Sequence, residues 1–437
     1  MSNIFDWQKP QERAFLIAVN SKKADTHWSV EDSLSELASL AKTAGAEVVG
    51  TAVQQLEKPD PRTYFGKGRA EELVGLCSAV DASLIIADDE LTPNQQLHLE
   101  EILKMDVIDR TALILDIFAL HAQSREGQMQ VELAQYEYQL PRLLGLRNHL
   151  SRQAGGAIGG AIGTRGPGET RLEVNRRRVR DRIAELKQEI NLISRHRDLQ
   201  HKQRKFDMVP IVALVGYTNA GKSTLFNTLT SADALAENIL FATLDPTTRQ
   251  LLLPGHQEAL LSDTVGFIQK LPTTLVSAFR ATLEEARQAD LLLEVVDVSH
   301  ENAIEQNLTV FDVLKSLKLD DKPRITALNK IDAVTDRAAI DTSLYQNPTL
   351  ISAHTGEGKQ QLLEAISAQL TANMRPFRAF LPFQRGDLVE IIHRRGVVSK
   401  EEYAADGIHM EGRIPAHLEN SLRQYALEDE LRAAENL

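Results

Sequence analysis

Apolar residues in the first hundred-odd positions fall in short β-rich runs separated by longer amphipathic stretches. Phe15–Val19, Glu47–Val53, Ser83–Ala87 and Met105–Asp109 read as strands, and Val30–Ala44, Arg69–Ala79 and Pro93–Lys104 as helices between them. Alternation of that kind predicts βαβ units on a mainly parallel sheet, a small α/β domain over residues 1–122.

The pattern then changes period. Met129, Leu133, Tyr136, Leu140 and Leu143 recur at spacings of 4, 3, 4 and 3, as do Val179, Ile183, Leu186, Ile190 and Ile193. Each set makes an apolar seam along one helix face. Between them lie seven glycines from Gly155 to Gly168. The expectation over 123–205 is an antiparallel helical hairpin with a long glycine-rich tip, the first helix kinked near its end by Pro141. Strands and helices alternate again over 206–373, and 374–437 reads as a small C-terminal α+β domain. The whole is a multidomain α/β chain, whose third domain is expected to carry a mainly parallel sheet.

Composition adds constraints. With 43% hydrophobic and 25% charged residues the 437-residue chain is globular, and its length implies several domains. The single cysteine, Cys77, cannot pair internally and reads as a small buried filler. The first twenty residues lack a signal-peptide core and no apolar run reaches a membrane-spanning length, so a cytoplasmic protein, a monomer, is expected. The net charge is −12, yet residues 165–205 hold thirteen Lys/Arg against six Asp/Glu, a local excess of +7 that leaves −19 elsewhere. Such asymmetry suits an anionic partner for one face, or simply a solvated helix.

The chemistry concentrates in the third domain. An apolar run, Ile211–Val215, leads directly into Gly216-Tyr217-Thr218-Asn219-Ala220-Gly221-Lys222-Ser223-Thr224. This is a phosphate loop, whose glycines let backbone N–H groups turn onto phosphates at a helix N-terminus. Lys222 would reach the β- and γ-phosphates, and the Ser223 hydroxyl would ligate Mg²⁺. Asp263-Thr264-Val265-Gly266 follows a second apolar strand. There Asp263 would hold a Mg²⁺-bound water and the Gly266 N–H would sense the γ-phosphate. Between the two motifs, Phe241-Ala242-Thr243-Leu244-Asp245 is the switch segment, with Thr243 ligating Mg²⁺ in the triphosphate state. Lys222, Thr243 and Gly266 are thus the candidate catalytic groups, and Ser223 and Thr243 the direct metal ligands.

Base choice comes from Asn329-Lys330-Ile331-Asp332, again at a strand end. The Asp332 carboxylate can accept from both N1–H and the 2-amino group of guanine, which adenine lacks. Asn329 would brace the phosphate loop, the Lys330 stem would cover the ring, and Ser352-Ala353-His354 would supply a backbone contact to guanine O6. Four motifs in this order predict a GTP/GDP site. Phe267 stands where many GTPases carry a water-orienting glutamine, so slow intrinsic hydrolysis is expected. Asn219 has two readings, a loop-bracing side chain or a K⁺ ligand.

These residues carry a resemblance. The phosphate loop with its continuation GYTNAGKSTLFN, the switch FATLDPTTR, the DTVGFI motif, RGPGETRLEVNRRR and YFGKGRAEEL together resemble the HflX GTPases of the Obg-like branch, over almost the whole chain. The resemblance implies a GTPase that binds the large ribosomal subunit and helps split or rescue stalled ribosomes. It also implies that Arg165, Arg171, Arg176, Arg177, Arg178, Arg180 and Arg182 of the hairpin meet rRNA phosphates, with salt-sensitive affinity. Two other readings stay open: an RNA-modification or ribosome-assembly GTPase, and a regulatory switch acting through protein partners.

Overall fold

Four parallel strands, β1 (Arg13–Ser21), β2 (Glu47–Leu56), β3 (Leu84–Ala87) and β4 (Asp106–Asp109), form the first sheet, in the order β2-β1-β3-β4. The computed structural model describes residues 11–21, 28–154, 167–207, 209–230, 240–241, 247–271, 285–372, 374–415 and 418–427. The chain divides into two units. One holds Met1–Arg195 with Ile239–Leu244 and Lys270–Arg280; the other holds His196–Asn238, Asp245–Gln269 and Ala281–Leu437.

In the first unit the helices start where the sequence can cap them. Ser29 accepts from the Asp32 amide at the head of α1 (Val30–Thr43). Thr92 and Gln95 form a capping box at α3 (Pro93–Leu103), with Pro93 in the first turn. Asp109 caps α4 (Arg110–His121). With α2 (Lys67–Ala79), these helices and the sheet enclose a core that includes Phe15, Ile17, Leu73, Ile85 and Leu99. Cys77 lies in that core, where burial pushes its thiol up to about 11, so it is the inert filler expected. All seven predicted elements are present within a few residues of their expected bounds; α4 is an addition.

The hairpin helices are α5 (Arg125–Ala154) and α6 (Pro167–Asp207). Met129, Leu133 and Leu186 are buried in the seam, flanked by Tyr136, Ile183, Ile190 and Ile193. Across it, Arg182 grips both carboxylate oxygens of Glu132 at 2.9 and 3.0 Å, and Lys187 meets Glu137 at 2.7 Å. Helix α5 continues through Pro141 instead of ending near it. Beside that proline, Arg142 donates to Asp109 at 2.8 Å, Leu91 O at 2.9 Å and Gln96 at 3.0 Å. The glycine-rich tip lies outside the described residues.

The second unit contains a six-stranded sheet in the order β10-β9-β8-β5-β7-β6. Its strands are β5 (Ile211–Gly216), β6 (Thr247–Leu252), β7 (Glu258–Asp263), β8 (Leu291–Asp297), β9 (Arg324–Asn329) and β10 (Pro348–Leu350). Only the β6–β7 pairing is antiparallel. All seven residues of β8 are buried, as suits a central strand covered on both faces. Helices α7 (Lys222–Thr230), α8 (Ala303–Ser316) and α9 (Lys359–Thr371) belong to the same domain. A separate three-stranded antiparallel sheet follows, from β11 (Arg375–Pro382), β12 (Val397–Tyr403) and β13 (Gly407–Ile414), with α10 (Gly386–Arg395) on its core. Among the described residues no helix is long and apolar enough to cross a membrane.

Candidate functional site

The phosphate loop joins the end of β5 to the start of α7, and its glycines are fixed by backbone geometry. Gly216 has φ +146°, and a Cβ there would stand 2.3 Å from the Val295 carbonyl oxygen. Gly221 has φ +94°, and a Cβ there would stand 2.3 Å from Asn329 Nδ2. Neither position admits a side chain. Between them Asn219 is exposed with φ +60°, a left-handed conformation that asparagine tolerates, in keeping with the loop-bracing reading.

Lys222 opens α7 with its ammonium turned back into the loop, donating to Gly216 O at 3.2 Å and Tyr217 O at 2.7 Å. Burial pulls this ammonium down to about 8, against the pull of the nearby Asp263 carboxylate. Next in sequence, Ser223 Oγ donates to Asp263 Oδ2 at 2.9 Å. The first and second motifs therefore meet through Ser223, expected to ligate the metal, and Asp263, expected to hold a metal-bound water. Thr224 continues α7 half-buried, and Ala220 is buried in the loop.

The segment after β7 lies along the loop. Thr264 is buried and donates to Leu214 O at 2.5 Å. Phe267 N donates to Gly216 O at 3.1 Å, and Thr218 N donates to Phe267 O at 2.7 Å. Gln269 N donates to the Tyr217 hydroxyl at 2.9 Å. Val265 and Gly266 lie inside this stretch. The Phe267 side chain is only 2% exposed, packed away rather than aimed into solvent where a water could be held.

At the base end, Asn329 is buried and bonds in two directions. Its Nδ2 donates to Ala220 O at 2.8 Å, and its Oδ1 accepts from Ala353 N at 2.8 Å. Within Ser352–His354, the stretch expected to offer a backbone contact to guanine O6, the Ala353 amide donates to Asn329. Lys330 stands at φ +66° with its ammonium 2.6 Å from the Asp297 carboxylate. Ile331 is buried beneath it, whereas Asp332 and His354 are exposed. The Ser352 hydroxyl holds the Asp332 carboxyl below its usual range, with smaller contributions from His354 and Arg337. A carboxylate kept ionised at an open edge can accept the two guanine donors.

The structure therefore gathers residues 216–224, 263–266, 329–332 and 352–354 at the ends of β5, β7 and β9 and beside β10. Phe241 belongs to the first unit, where its ring packs edge-on to Phe118 with centroids 4.6 Å apart. Ala242, Thr243, Leu244 and Asp245 lie outside the described residues, as do Arg165 and the side chain of Arg171. On α6, Arg177, Arg178 and Arg180 are exposed and Arg176 half-buried, while Arg182 is committed to Glu132. The sequence reading missed two supports, Asp297 beneath Lys330 and the Tyr217 hydroxyl. The signal for Asp297 was available, because it stands at the carboxyl end of a parallel strand that is apolar apart from Glu294.

Three family models match in tandem: "GTP-binding GTPase N-terminal" over 31–119, "GTP-binding GTPase Middle Region" over 121–204, and "50S ribosome-binding GTPase" over 211–330. The chain is 45% identical over 426 residues to the GTPase HflX of Lacrimispora saccharolytica, covering 98% of this chain and 99% of that one. It is 40% identical over 388 residues to GTPase HflX of Escherichia coli, covering 88% and 90%. A solved GTP-binding protein from Sulfolobus solfataricus, in complex with GDP, is similar at 25% identity with a TM-score of 0.42, covering 82% of this chain and 98% of that one. On full-length identity of this order, and with the nucleotide motifs assembled at the strand ends, the chain belongs to the HflX family of GTPases and hydrolyses GTP.

Proposed function

We propose that this GTPase binds the large ribosomal subunit through its helical hairpin and uses the GTP state to dissociate or rescue stalled ribosomes. The observation that carries this reading is the arginine run on α6. Arg177, Arg178 and Arg180 are exposed on a helix braced by the seam and by the Arg182–Glu132 pair. Rigid, closely spaced guanidiniums suit the phosphates of a folded RNA, which is recognised by shape and backbone without aromatic platforms. The third matching model is described as ribosome-binding, which supports the same partner. In this reading the protein acts in the cytoplasm.

Ser223 would ligate Mg²⁺ directly and Asp263, 2.9 Å from it beside the loop, would hold a water on the ion, with Thr243 and phosphate oxygens as the other ligands. When bound, the ion would neutralise charge on the β- and γ-phosphates. The chain's own residues do the rest: Lys222 and the loop amides bind the phosphates, and Asp332 selects guanine. With Phe267 buried, no side chain at that position orients the attacking water, so turnover in solution is slow, on the order of 10⁻⁴ s⁻¹.

The test is GTP hydrolysis with and without purified large ribosomal subunits at low and moderate salt. Stimulation of at least tenfold that weakens with salt is expected. Replacing Arg176, Arg177 and Arg178 by glutamate should remove it without changing GTP affinity in solution. Equal rates with and without subunits would overturn the ribosomal reading.

A further inference from the structure

The contacts between the loop and the segment after β7 go beyond what phosphate binding requires. Three hydrogen bonds join them: Phe267 N to Gly216 O at 3.1 Å, Thr218 N to Phe267 O at 2.7 Å, and Gln269 N to the Tyr217 hydroxyl at 2.9 Å. Tyr217 and Phe267 form a parallel β-bridge, so the phosphate loop is continued here as a strand edge. Gly266 is pressed directly onto it. A Cβ at Gly266 would stand 2.8 Å from Thr218 Cγ2, 2.9 Å from Thr218 Cα and 2.9 Å from Lys222 Nζ. Two donor directions of that ammonium are spent on Gly216 O and Tyr217 O. On a remaining side sits Gly266, and Lys222 is 6% exposed.

A terminal phosphate must reach this ammonium from the side that Gly266 occupies. A diphosphate needs less: its β-phosphate meets the loop amides from Ala220 onward, the N-terminus of α7 and the near side of the Lys222 ammonium without displacing Gly266. We propose that Gly266–Gln269 is a strap zipped onto Gly216–Thr218, and that Tyr217, by latching its far end, sets the preference between guanosine diphosphate and triphosphate. This rests on the phosphate-loop reading of the site. Triphosphate binds only after the strap has peeled away, so the free energy of the three bonds is subtracted from triphosphate affinity alone. Two of the bonds are between backbone groups and are insensitive to side-chain identity. The third uses a phenolic oxygen, so residue 217 tunes the strap. Tyr217 is a positioning residue: it touches the strap and acts on the phosphate through it.

The experiment compares affinities for GDP and a non-hydrolysable GTP analogue in the full chain, unmodified and as Tyr217→Phe, which deletes only the hydroxyl. Loss of one net hydrogen bond should raise analogue affinity relative to GDP by about 2- to 10-fold. An unchanged ratio, or a shift toward GDP, overturns the proposal. Hydrogen exchange on the unmodified chain gives a second reading that no folding defect can confuse. The Phe267 and Gln269 amides should be protected with GDP and lose protection with the analogue; equal protection in both complexes overturns it. Lys222→Ala, measured alongside, keeps the two failures apart. If it abolishes binding of both nucleotides while Tyr217→Phe leaves the ratio unchanged, the strap fails and the site stands; if it binds both normally, the site reading itself falls.

Discussion

At the base end of the nucleotide site, Asn329 ties Ala220 to Ala353 through two bonds of 2.8 Å, whereas at the terminal-phosphate end the same loop is tied to Phe267 and Gln269. The first set joins groups that have the same task whichever nucleotide is bound. Breaking it would leave a buried carbonyl and a buried amide without partners, a cost of about 1–3 kcal/mol for each. The second set occupies a place that only one of the two nucleotides needs. A loop held firmly on one side and exchangeably on the other can report the number of phosphates without loosening its grip on the base. Guanine recognition and phosphate sensing are therefore separable, and substitutions at the two ends should fail in different ways.

The largest separation is expected at Asp332. In Asp332→Asn the amide offers a donor to guanine N1–H and the 2-amino group, both of which are donors themselves. GTP and GDP affinity should fall together by about 100-fold or more, and xanthosine nucleotides, with an acceptor at that position, should gain. Competition binding with the four nucleotides measures it. Unchanged guanine affinity would remove Asp332 from the site, and a loss confined to GTP would erase the distinction between the ends.

Asn329→Ala comes next. It removes both bonds that hold the base end, so affinity for GDP and for a non-hydrolysable GTP analogue should drop in parallel, by about 30-fold. Thermal unfolding should shift down as well, because the orphaned groups are buried with no nucleotide bound. Parallel loss is the informative feature: a change in the analogue-to-GDP ratio would mean that the base end also senses phosphate.

The contrast between the ends matches what the sequence made legible. The base end and the loop are written in contiguous motifs, whose glycines and carboxylate have local reasons to be there. The hairpin was equally readable, since its 4,3 spacing is the seam that Met129, Leu133 and Leu186 fill. Helix α4 was not. Its buried positions, Thr111, Leu113, Ile114, Leu115, Ile117 and Phe118, run nearly all the way round, so no polar face marks a helical period. Its buried Arg110 is held by Asp88 at 2.8 Å and by Glu36, partners far apart in sequence. The strap was invisible because two of its bonds belong to the backbone and the third joins residues 52 apart.

The smallest effect expected at the base end belongs to Ser352. Its hydroxyl is the foremost influence holding the Asp332 carboxyl below the usual carboxylate range. Near neutral pH that carboxyl is ionised with or without the hydroxyl, so Ser352→Ala should weaken GDP binding only about 2- to 5-fold, the worth of one net hydrogen bond. Acidity exposes the difference. A depressed carboxyl keeps its charge as pH falls past the ordinary carboxylate value and loses it only on reaching its own lower value. Guanine needs the ionised form, so binding by the unmodified protein should persist to lower pH than binding by Ser352→Ala. Titrating GDP affinity downward from pH 7 in both proteins tests this, with far-ultraviolet circular dichroism to mark where either unfolds. Coincident acid limbs would mean that the hydroxyl does not tune Asp332. An acid limb displaced upward in the variant, equally for GDP and the GTP analogue, would place the tuning at the base end and leave phosphate sensing to the strap.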